Sequence, residues 1–298
     1  MRVRESVPLR GLVLAALIGT AFAANSTLAA LAAASGSNMM TVLALRATVA
    51  FIALFLMLGR QRVPRGLPVP RRWQALGLGL LFASYSWMVF ASFQRMPVAL
   101  AVVTFYTYPL MVAGYAWWRG WERFSPASAS AFLLAFAGIV LALDVFGARP
   151  DGLGICMALA SAVIVSVVLT LSPRVRGSGD SRPVTLHMLG VAAGLYTVAL
   201  VTLGNLAWPT TAAGWAAFLA APVFYTFAIV TLFQVLALIG PSRMALIMNV
   251  EPVAAVLLGY ALLDQALAQI QLFGVALVIA AVALIELARY RTAARNLS

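Results

Sequence analysis

The sequence alternates long apolar runs with short polar breaks over its whole length. Each run holds roughly 20 residues, the length that an α-helix needs to cross a hydrocarbon core about 30 Å thick. No polar break is long enough to form a separate soluble domain. The pattern therefore predicts an all-α integral membrane protein with ten spans, at residues 11–34, 38–59, 73–94, 98–118, 126–146, 151–172, 184–206, 213–238, 242–263 and 268–289.

The composition agrees with a membrane protein and argues against a soluble one. Of the 298 residues, 63% are hydrophobic and 9% are charged, and the mean hydropathy is +0.99. A soluble globular domain is about half apolar and a quarter charged. The net charge of +12 does not indicate a nucleic-acid partner, because the basic residues do not form one patch. Instead, the composition predicts that the protein is embedded in a lipid bilayer.

The arginines predict the orientation of the spans. All twenty basic residues are arginine, and seventeen of them fall in the terminal segments and alternate loops on the side of the N-terminus. Only Arg95 and Arg149 lie in the opposite loops, and Arg46 lies within the second span. Because arginine in short loops resists translocation, both termini are predicted to be cytoplasmic. The same tally requires the first apolar run to be retained rather than cleaved as a signal peptide.

The two halves of the sequence resemble each other after a shift of 143 positions, which places Pro109 on Pro252. We therefore divide the chain into two repeats, 1–147 and 148–298, with five predicted spans each. Because five is odd, the second repeat must enter the bilayer from the opposite side, so the repeats are inverted. Inverted repeats are common in secondary transporters, where they enclose a site near the bilayer midplane.

Three stretches resemble the signatures of a known family: ALRATVAF around Arg46, PVALAVVTFYTYPLMVAGYAWWRGWERFSP in the fourth span, and IGPSRMALIMNVEPVAAVLLGYALL in the ninth. Together they resemble the EamA family of the drug/metabolite transporter superfamily, including its bacterial amino-acid exporters of the aromatic amino-acid type. The resemblance implies inverted repeats, no enzymatic activity, no cofactor, and export of small metabolites such as amino acids or toxic cations. The chain departs from the family at Asn25, which lacks the usual preceding Trp-Gly, and at Asp264-Gln265, which replaces Gly-Glu.

The ninth span carries a carboxylate and a helix breaker, Glu251 and Pro252, in its middle. Pro252 removes one backbone donor from the helix, and Pro109 does the same at the equivalent place in the fourth span. Paired interruptions in corresponding spans point to a transporter's binding site, because irregular backbone at membrane depth is tolerated where it faces protein or a cavity. We predict that both prolines border a cavity. The alternative is that they only bend the helices for packing.

Glu251 is the only clearly intramembrane acid, and an ionised group at the bilayer centre costs at least about 2.5–3.5 kcal/mol. Three roles are open to it. It is a structural partner of Arg46 or of backbone amides, a site for a substrate ammonium group, or a proton-coupling carboxylate. Depth along the two spans permits a pair with Arg46, but the sequence does not show whether the two residues are neighbours.

Further candidates are polar and aromatic side chains within the spans. Tyr106 and Tyr108 occupy the positions equivalent to Asn249 and Glu251, so one cavity wall is predicted to be aromatic and the other to carry an amide and an acid. The remaining candidates are Asn25, Tyr85, Trp87, Tyr225 and Gln234. His187, near the start of the seventh span, is expected to be an interfacial side chain.

These features predict a bacterial inner-membrane secondary transporter that exports small metabolites, amino acids first, by alternating access around a midplane cavity. An alternative keeps the fold and changes the cargo to a drug or lipophilic cation, which Glu251 and the aromatic side chains would also bind. An intramembrane enzyme is disfavoured, because no G-x-S-x-G or H-E-x-x-H motif and no pair of intramembrane aspartates occurs. A non-transporting scaffold is disfavoured by the duplicated halves. The sequence leaves proton coupling and the oligomeric state open.

Overall fold

The computed structural model describes residues 9–121, 126–146, 149, 151–263 and 268–295. These residues form twelve helices and no strand. The helices are α1 Leu9–Ala34, α2 Met39–Arg60, α3 Val69–Phe93, α4 Val98–Phe105, α5 Tyr108–Trp118, α6 Pro126–Ala142, α7 Gly152–Arg176, α8 Arg182–Leu203, α9 Ala212–Ile239, α10 Pro241–Ile247, α11 Val250–Leu263 and α12 Gln269–Arg295.

The described helices are those of a multi-pass membrane protein. Eight helical segments are long and apolar enough to cross a membrane: α1, α2, α3, α7, α8, α9 and the consecutive pairs α4–α5 and α10–α11. Two shorter apolar stretches, Ser128–Ala142 in α6 and Gln269–Leu284 in α12, accompany them. The terminal residues 1–8 and 296–298, whose side was predicted above, lie outside the described residues, and so do Asp264 and Gln265.

Several helix boundaries differ from the sequence prediction. The fourth and ninth predicted spans each consist of two consecutive helices separated by a short break, close to the prolines that were predicted to interrupt them. α6 ends at Ala142, before the predicted limit of 146. α7 continues through Pro173 to Arg176, past the predicted limit of 172. Pro173 cannot donate a backbone hydrogen bond to the carbonyl of Leu169, so the last turn of α7 forms without that bond.

The main contacts between helices are symmetric with respect to the two halves of the chain. Each of these main contacts has a counterpart in which both helices are replaced by their equivalents from the other half. α1 packs on α9 as α7 packs on α3, and α2 packs on α9 as α8 packs on α3. The corresponding helices α2 and α8 pack on each other, and so do α6 and α12. This is the pattern that a two-fold axis between two similar halves produces.

Glycines bring two of these pairs into close contact. A Cβ atom on Gly274 of α12 would lie 2.2 Å from the backbone nitrogen of Ala142 and 2.6 Å from the carbonyl oxygen of Gly138 in α6. A Cβ atom on Gly79 of α3 would lie 2.9 Å from the Cα atom of Met188 in α8. Small residues let helix backbones approach closely within membranes, where packing rather than the hydrophobic effect joins helices. These glycines therefore pack helices of the same chain against each other.

Loops meet in two groups, one at each end of the helices. At one end, the α1–α2 loop contacts the α8–α9 loop, where Thr210 N donates to the carbonyl oxygen of Ser35 at 2.7 Å. At the other end, Arg182 donates a hydrogen bond to Gln61 of the α2–α3 loop. Arg182 also donates hydrogen bonds to Asp180, which hold the pKa of that carboxyl below its ordinary value. Both contacts join loops that the arginine pattern assigns to the same side.

Candidate functional site

The broken helices place two irregular segments at equivalent positions of the two halves. Tyr106 and Thr107 separate α4 from α5, and Met248 and Asn249 separate α10 from α11. The shift of 143 positions brings Tyr106 onto Asn249. The two breaks therefore agree to within one residue, which is the usual uncertainty of a helix end.

Each break precedes a proline that begins the next helix. Pro109 is the second residue of α5, and Pro252 is the third residue of α11. Proline is well tolerated in the first turn of a helix, where its missing N–H would have no partner within the helix. The carbonyl oxygen of Met248, which Pro252 would leave unpaired in a continuous helix, accepts a hydrogen bond from Glu251 N at 2.9 Å. The carbonyl group that the proline would leave unpaired is therefore hydrogen-bonded within the break itself.

Both breaks pack against the first helix of the other half. Gly19 of α1 lies against the α10–α11 break, where a Cβ atom would be 3.3 Å from Glu251 N and 3.5 Å from the Cβ atom of Val250. On the opposite side, the hydroxyl of Ser166 in α7 lies 3.3 Å from the carbonyl oxygen of Tyr108. The irregular segments therefore lie at the interface between the halves rather than facing lipid.

Aromatic side chains cluster around the α4–α5 break. The ring of Tyr85 from α3 stacks on Phe105, with 6.2 Å between centroids and 7° between planes. Phe105 in turn contacts Tyr108 at 5.2 Å between centroids, and Tyr106 contacts Tyr108 at 5.6 Å. Three of the predicted tyrosines are thus brought together by one contiguous group of rings.

Two buried polar atoms at the breaks have no hydrogen-bond partner: the hydroxyl of Tyr106 and the side-chain oxygen of Asn249. The two residues are only 4% and 2% exposed. Nearly all buried polar atoms in proteins are paired, and an unpaired one costs about 1–3 kcal/mol. The two residues occupy equivalent positions in the two halves of the chain, 143 residues apart.

Glu251 lies in the first turn of α11, where the partial positive charge of a helix N-terminus favours a carboxylate. Glu251 as a residue is partly exposed. The phenol of Tyr106 lies beside the carboxylate but does not reach hydrogen-bond geometry. Among the described residues, Glu251 forms no ion pair.

Arg46 is buried and is held by groups other than Glu251. Its guanidinium lies 5.0 Å from the ring centroid of Phe90 and 4.6 Å from that of Tyr225. With the amide of Asn25 oriented to present its oxygen, Asn25 accepts a hydrogen bond from Arg46 at 3.2 Å. The structural ion pair between Arg46 and Glu251 that the sequence permitted is therefore not formed.

We refer to eight of the predicted residues as the central cluster: Asn25, Arg46, Tyr85, Tyr106, Tyr108, Tyr225, Asn249 and Glu251. They come from α1, α2, α3, the two broken spans and α9. Both halves of the chain contribute to the cluster, and it contains one carboxylate and one guanidinium.

Two of the predicted polar and aromatic residues, Trp87 and Gln234, lie outside the central cluster. One buried tyrosine, Tyr196, was not among the predicted residues. Trp87 is 46% exposed on the outer face of α3. Gln234 lies nine residues, or about 2.5 turns, from Tyr225, so the two side chains point to opposite sides of α9. Tyr196, which the sequence did not single out, is buried and donates a hydrogen bond to the carbonyl oxygen of Ala83 at 2.7 Å. Nothing in its local sequence distinguishes it from lipid-facing tyrosines.

Comparisons with known proteins agree with this architecture. The family model of the EamA-like transporter family matches residues 9–143 and 152–287, one match in each half. An uncharacterized transporter of Synechocystis sp. is 26% identical over 226 residues, which cover 73% of this chain and 67% of that protein. A protein crystal structure superposes with a TM-score of 0.72 at 23% identity, covering 91% of this chain and 96% of the other, and shows similarity of fold. The two family matches span most of the chain, which therefore belongs to the EamA-like transporter family.

Proposed function

We propose that this chain is a secondary transporter of the bacterial inner membrane that exports amino acids by alternating access around the central cluster. The two repeats, 1–147 and 148–298, run in opposite directions through the bilayer. Each repeat crosses the bilayer five times, and both termini are cytoplasmic.

Three observations support the inverted, ten-span arrangement. The helix breaks recur at equivalent positions, and the helix pairs exchange between the halves. The loops that contact each other belong to the same predicted side. The apolar helices α6 and α12 pack together and bring the number of crossings to five in each half when they cross. Alternating access follows from such symmetry, because each half can adopt the conformation of the other.

The substrate class rests on one observation: the central cluster holds a carboxylate, Glu251, and a guanidinium, Arg46, that are not paired with each other. Burying a single charge is costly unless a partner compensates it. An α-amino acid carries an ammonium group and a carboxylate on one carbon, so it compensates both side chains at once. A simple cation or anion would compensate only one of them.

The unpaired atoms and the aromatic rings complete the site for such a substrate. The side-chain oxygen of Asn249 accepts a hydrogen bond from the ammonium group, and the hydroxyl of Tyr106 donates one to an oxygen. The rings of Tyr85 and Tyr108 offer an apolar wall for the side chain of the amino acid. Apolar and aromatic amino acids therefore fit this cluster better than charged ones.

A lipophilic cation or drug is the second candidate substrate. It is favoured by the same aromatic wall together with the negative charge of Glu251, which is the combination that binds organic cations. Arg46 opposes it, because its positive charge lies in the same cluster.

The first experiment is uptake of labelled threonine, methionine and phenylalanine into proteoliposomes, with and without an imposed pH gradient. Saturable uptake without a gradient would support an amino-acid facilitator. Uptake that requires the gradient would support a proton-coupled exporter in which Glu251 carries the proton. If none of the three enters under either condition, the amino-acid proposal is wrong and labelled lipophilic cations become the next test.

Competition by altered substrates then tests which side chain, Glu251 or Arg46, binds which charged group of the amino acid. Phenylalanine amide lacks the carboxylate, and N-acetylphenylalanine lacks the ammonium group. We expect phenylalanine to compete roughly 10- to 100-fold better than either, since hydrogen bonds to charged groups contribute about 1.5–3 kcal/mol. Glu251→Gln should abolish the preference over the acetyl compound, and Arg46→Gln should abolish the preference over the amide.

Matched variants control for general damage. Gln234→Asn and Trp87→Phe lie in spans but outside the central cluster, so they should leave both preferences unchanged. Arg46→Lys keeps a positive charge and provides a second variant if Arg46→Gln does not fold. If Glu251→Gln retains the full preference over the acetyl compound, Glu251 does not bind the ammonium group.

A further inference from the structure

A cavity lies away from the central cluster, at the end of the molecule where most arginines occur. It has a volume of about 560 Å³ and lies between the C-terminal part of α2, the start of α3 and the start of α8. Pockets that hold small organic ligands have volumes of about 300–1,000 Å³. None of the central-cluster residues lines this cavity, so the sites are separate.

One end of the cavity is positively charged. Arg65 and Arg72 both line it, and no carboxylate does among the described residues. The position of Arg65 is set by a hydrogen bond from its Nε to the carbonyl oxygen of Phe55 at 3.1 Å. Its guanidinium also stacks 3.7 Å from the ring centroid of Phe55. Arg72 is exposed, and within the described chain it forms no ion pair.

Apart from His187, whose Nδ1 atom lies 2.7 Å from the carbonyl oxygen of Pro183, the side chains that line the rest of the cavity are apolar. Phe51 and Phe55 of α2, Leu76 of α3 and Val191 of α8 form its walls. Phe51 lies nine residues before Arg60, the last residue of α2, so this wall reaches about 13 Å from the helix end. Phe55 is 40% exposed, which connects the cavity to the apolar outer surface of α2. The charge therefore lies at the interface, and the apolar wall lies at acyl-chain depth.

We propose that this cavity binds an anionic phospholipid of the surrounding bilayer. Its phosphate lies between Arg65 and Arg72, and one acyl chain lies along Phe51, Leu76 and Val191. Basic pockets between membrane helices bind anionic lipid headgroups because the arginine side chains attract the phosphate. A lipid of the bilayer already has its headgroup at the interface and its acyl chain within the membrane, which is the orientation that this cavity requires. Because α8 belongs to the other half of the chain, the bound lipid links the two halves at this end.

The test uses the full chain purified in detergent, with phosphatidylglycerol and phosphatidylcholine of identical acyl chains as probes. Thermal unfolding and native mass spectrometry measure binding. We expect phosphatidylglycerol to raise Tm and to remain bound, and phosphatidylcholine to do neither. The double variant Arg65→Gln/Arg72→Gln should weaken phosphatidylglycerol binding roughly 30-fold, as expected for two interfacial arginines.

A matched double variant, Arg60→Gln/Arg62→Gln, removes the same charge at the same end from residues that do not line the cavity. It should bind phosphatidylglycerol as the unaltered chain does. Equal weakening by both double variants, or equal binding of the two lipids, would overturn the proposal. So would an equal rise in Tm with glycerol phosphate, which carries the headgroup chemistry without an acyl chain. Tm without lipid shows whether each variant is folded, independently of transport.

Discussion

Two tyrosine-to-phenylalanine substitutions should change stability in opposite directions. The hydroxyl of Tyr106 is buried without a hydrogen-bond partner, and that of Tyr196 donates to the carbonyl oxygen of Ala83 at 2.7 Å. The two side chains are similarly buried, at 4% and 6% exposure. The substitution removes the same atom in both cases, so the difference between them reports the hydrogen bonding of that atom.

The expected magnitudes follow from the cost of an unpaired buried hydroxyl, which is about 1–3 kcal/mol. Tyr106→Phe removes this cost and should raise the free energy of unfolding by about 1 kcal/mol or more. Tyr196→Phe removes a hydrogen bond that contributes about 1 kcal/mol and should lower the free energy of unfolding by that amount. The difference of about 2 kcal/mol corresponds to roughly 4–8 °C in Tm for a chain of this size.

Thermal unfolding of the two purified variants in the same detergent measures this difference. If Tyr106 also contacts the substrate, Tyr106→Phe should weaken substrate competition in proteoliposomes while it stabilises the free protein. If Tyr106→Phe lowers the free energy of unfolding as much as Tyr196→Phe does, this prediction is wrong. That result would mean that the Tyr106 hydroxyl is paired within the protein, with the neighbouring carboxylate of Glu251 as the first candidate.

Two further predictions concern packing and surface electrostatics. Gly274→Ala should lower the free energy of unfolding by about 1–3 kcal/mol, because the new Cβ atom would lie 2.2 Å from the backbone nitrogen of Ala142. Gly77→Ala is the control, because a Cβ atom at Gly77 would have no atom within 4 Å. This control should be neutral or should stabilise the protein by up to about 1 kcal/mol. Equal Tm values for these variants would contradict the close approach of α6 and α12. Arg95→Gln breaks an ion pair that is more than one-third exposed and should change stability by less than about 1 kcal/mol. Asp151→Ala should cost about 1 kcal/mol more in the same unfolding assay, because Asp151 also caps α7 through a hydrogen bond from Gly154 N.

The helix breaks were foreseeable because their cause is local. Pro109 and Pro252 each remove a backbone donor from an apolar span, and the shift of 143 positions placed them at equivalent sites. A proline shows that a helix is interrupted nearby, but the preceding turn determines which residues form the break. Tyr106 and Asn249 were selected for their polarity, and their unpaired atoms were visible only once the neighbouring helices were in place.

Arg46 and Glu251 show why the contacts of the site were not predictable. Their depths follow from helix rise alone, which is a property of each span taken separately. Their separation depends on how α2 and α11 are arranged around the intervening helices. The structure places the rings of Phe90 and Tyr225 against the guanidinium instead. The exposed position of Trp87 was not predictable for the same reason, because the packing of α7 and α8 determines which face of α3 is exposed.

The membrane environment, the positions of most helices and the similarity of the two halves could be read from the amino-acid sequence. These properties depend on segment length, apolar content and backbone chemistry, which are local and recur along the chain. The side chains that meet at the breaks, the charges that stay unpaired and the location of the arginine-lined cavity depend on how the helices pack in the tertiary structure. In an apolar span nearly every face resembles every other, so packing between helices, rather than hydrophobicity, decides which face becomes the site.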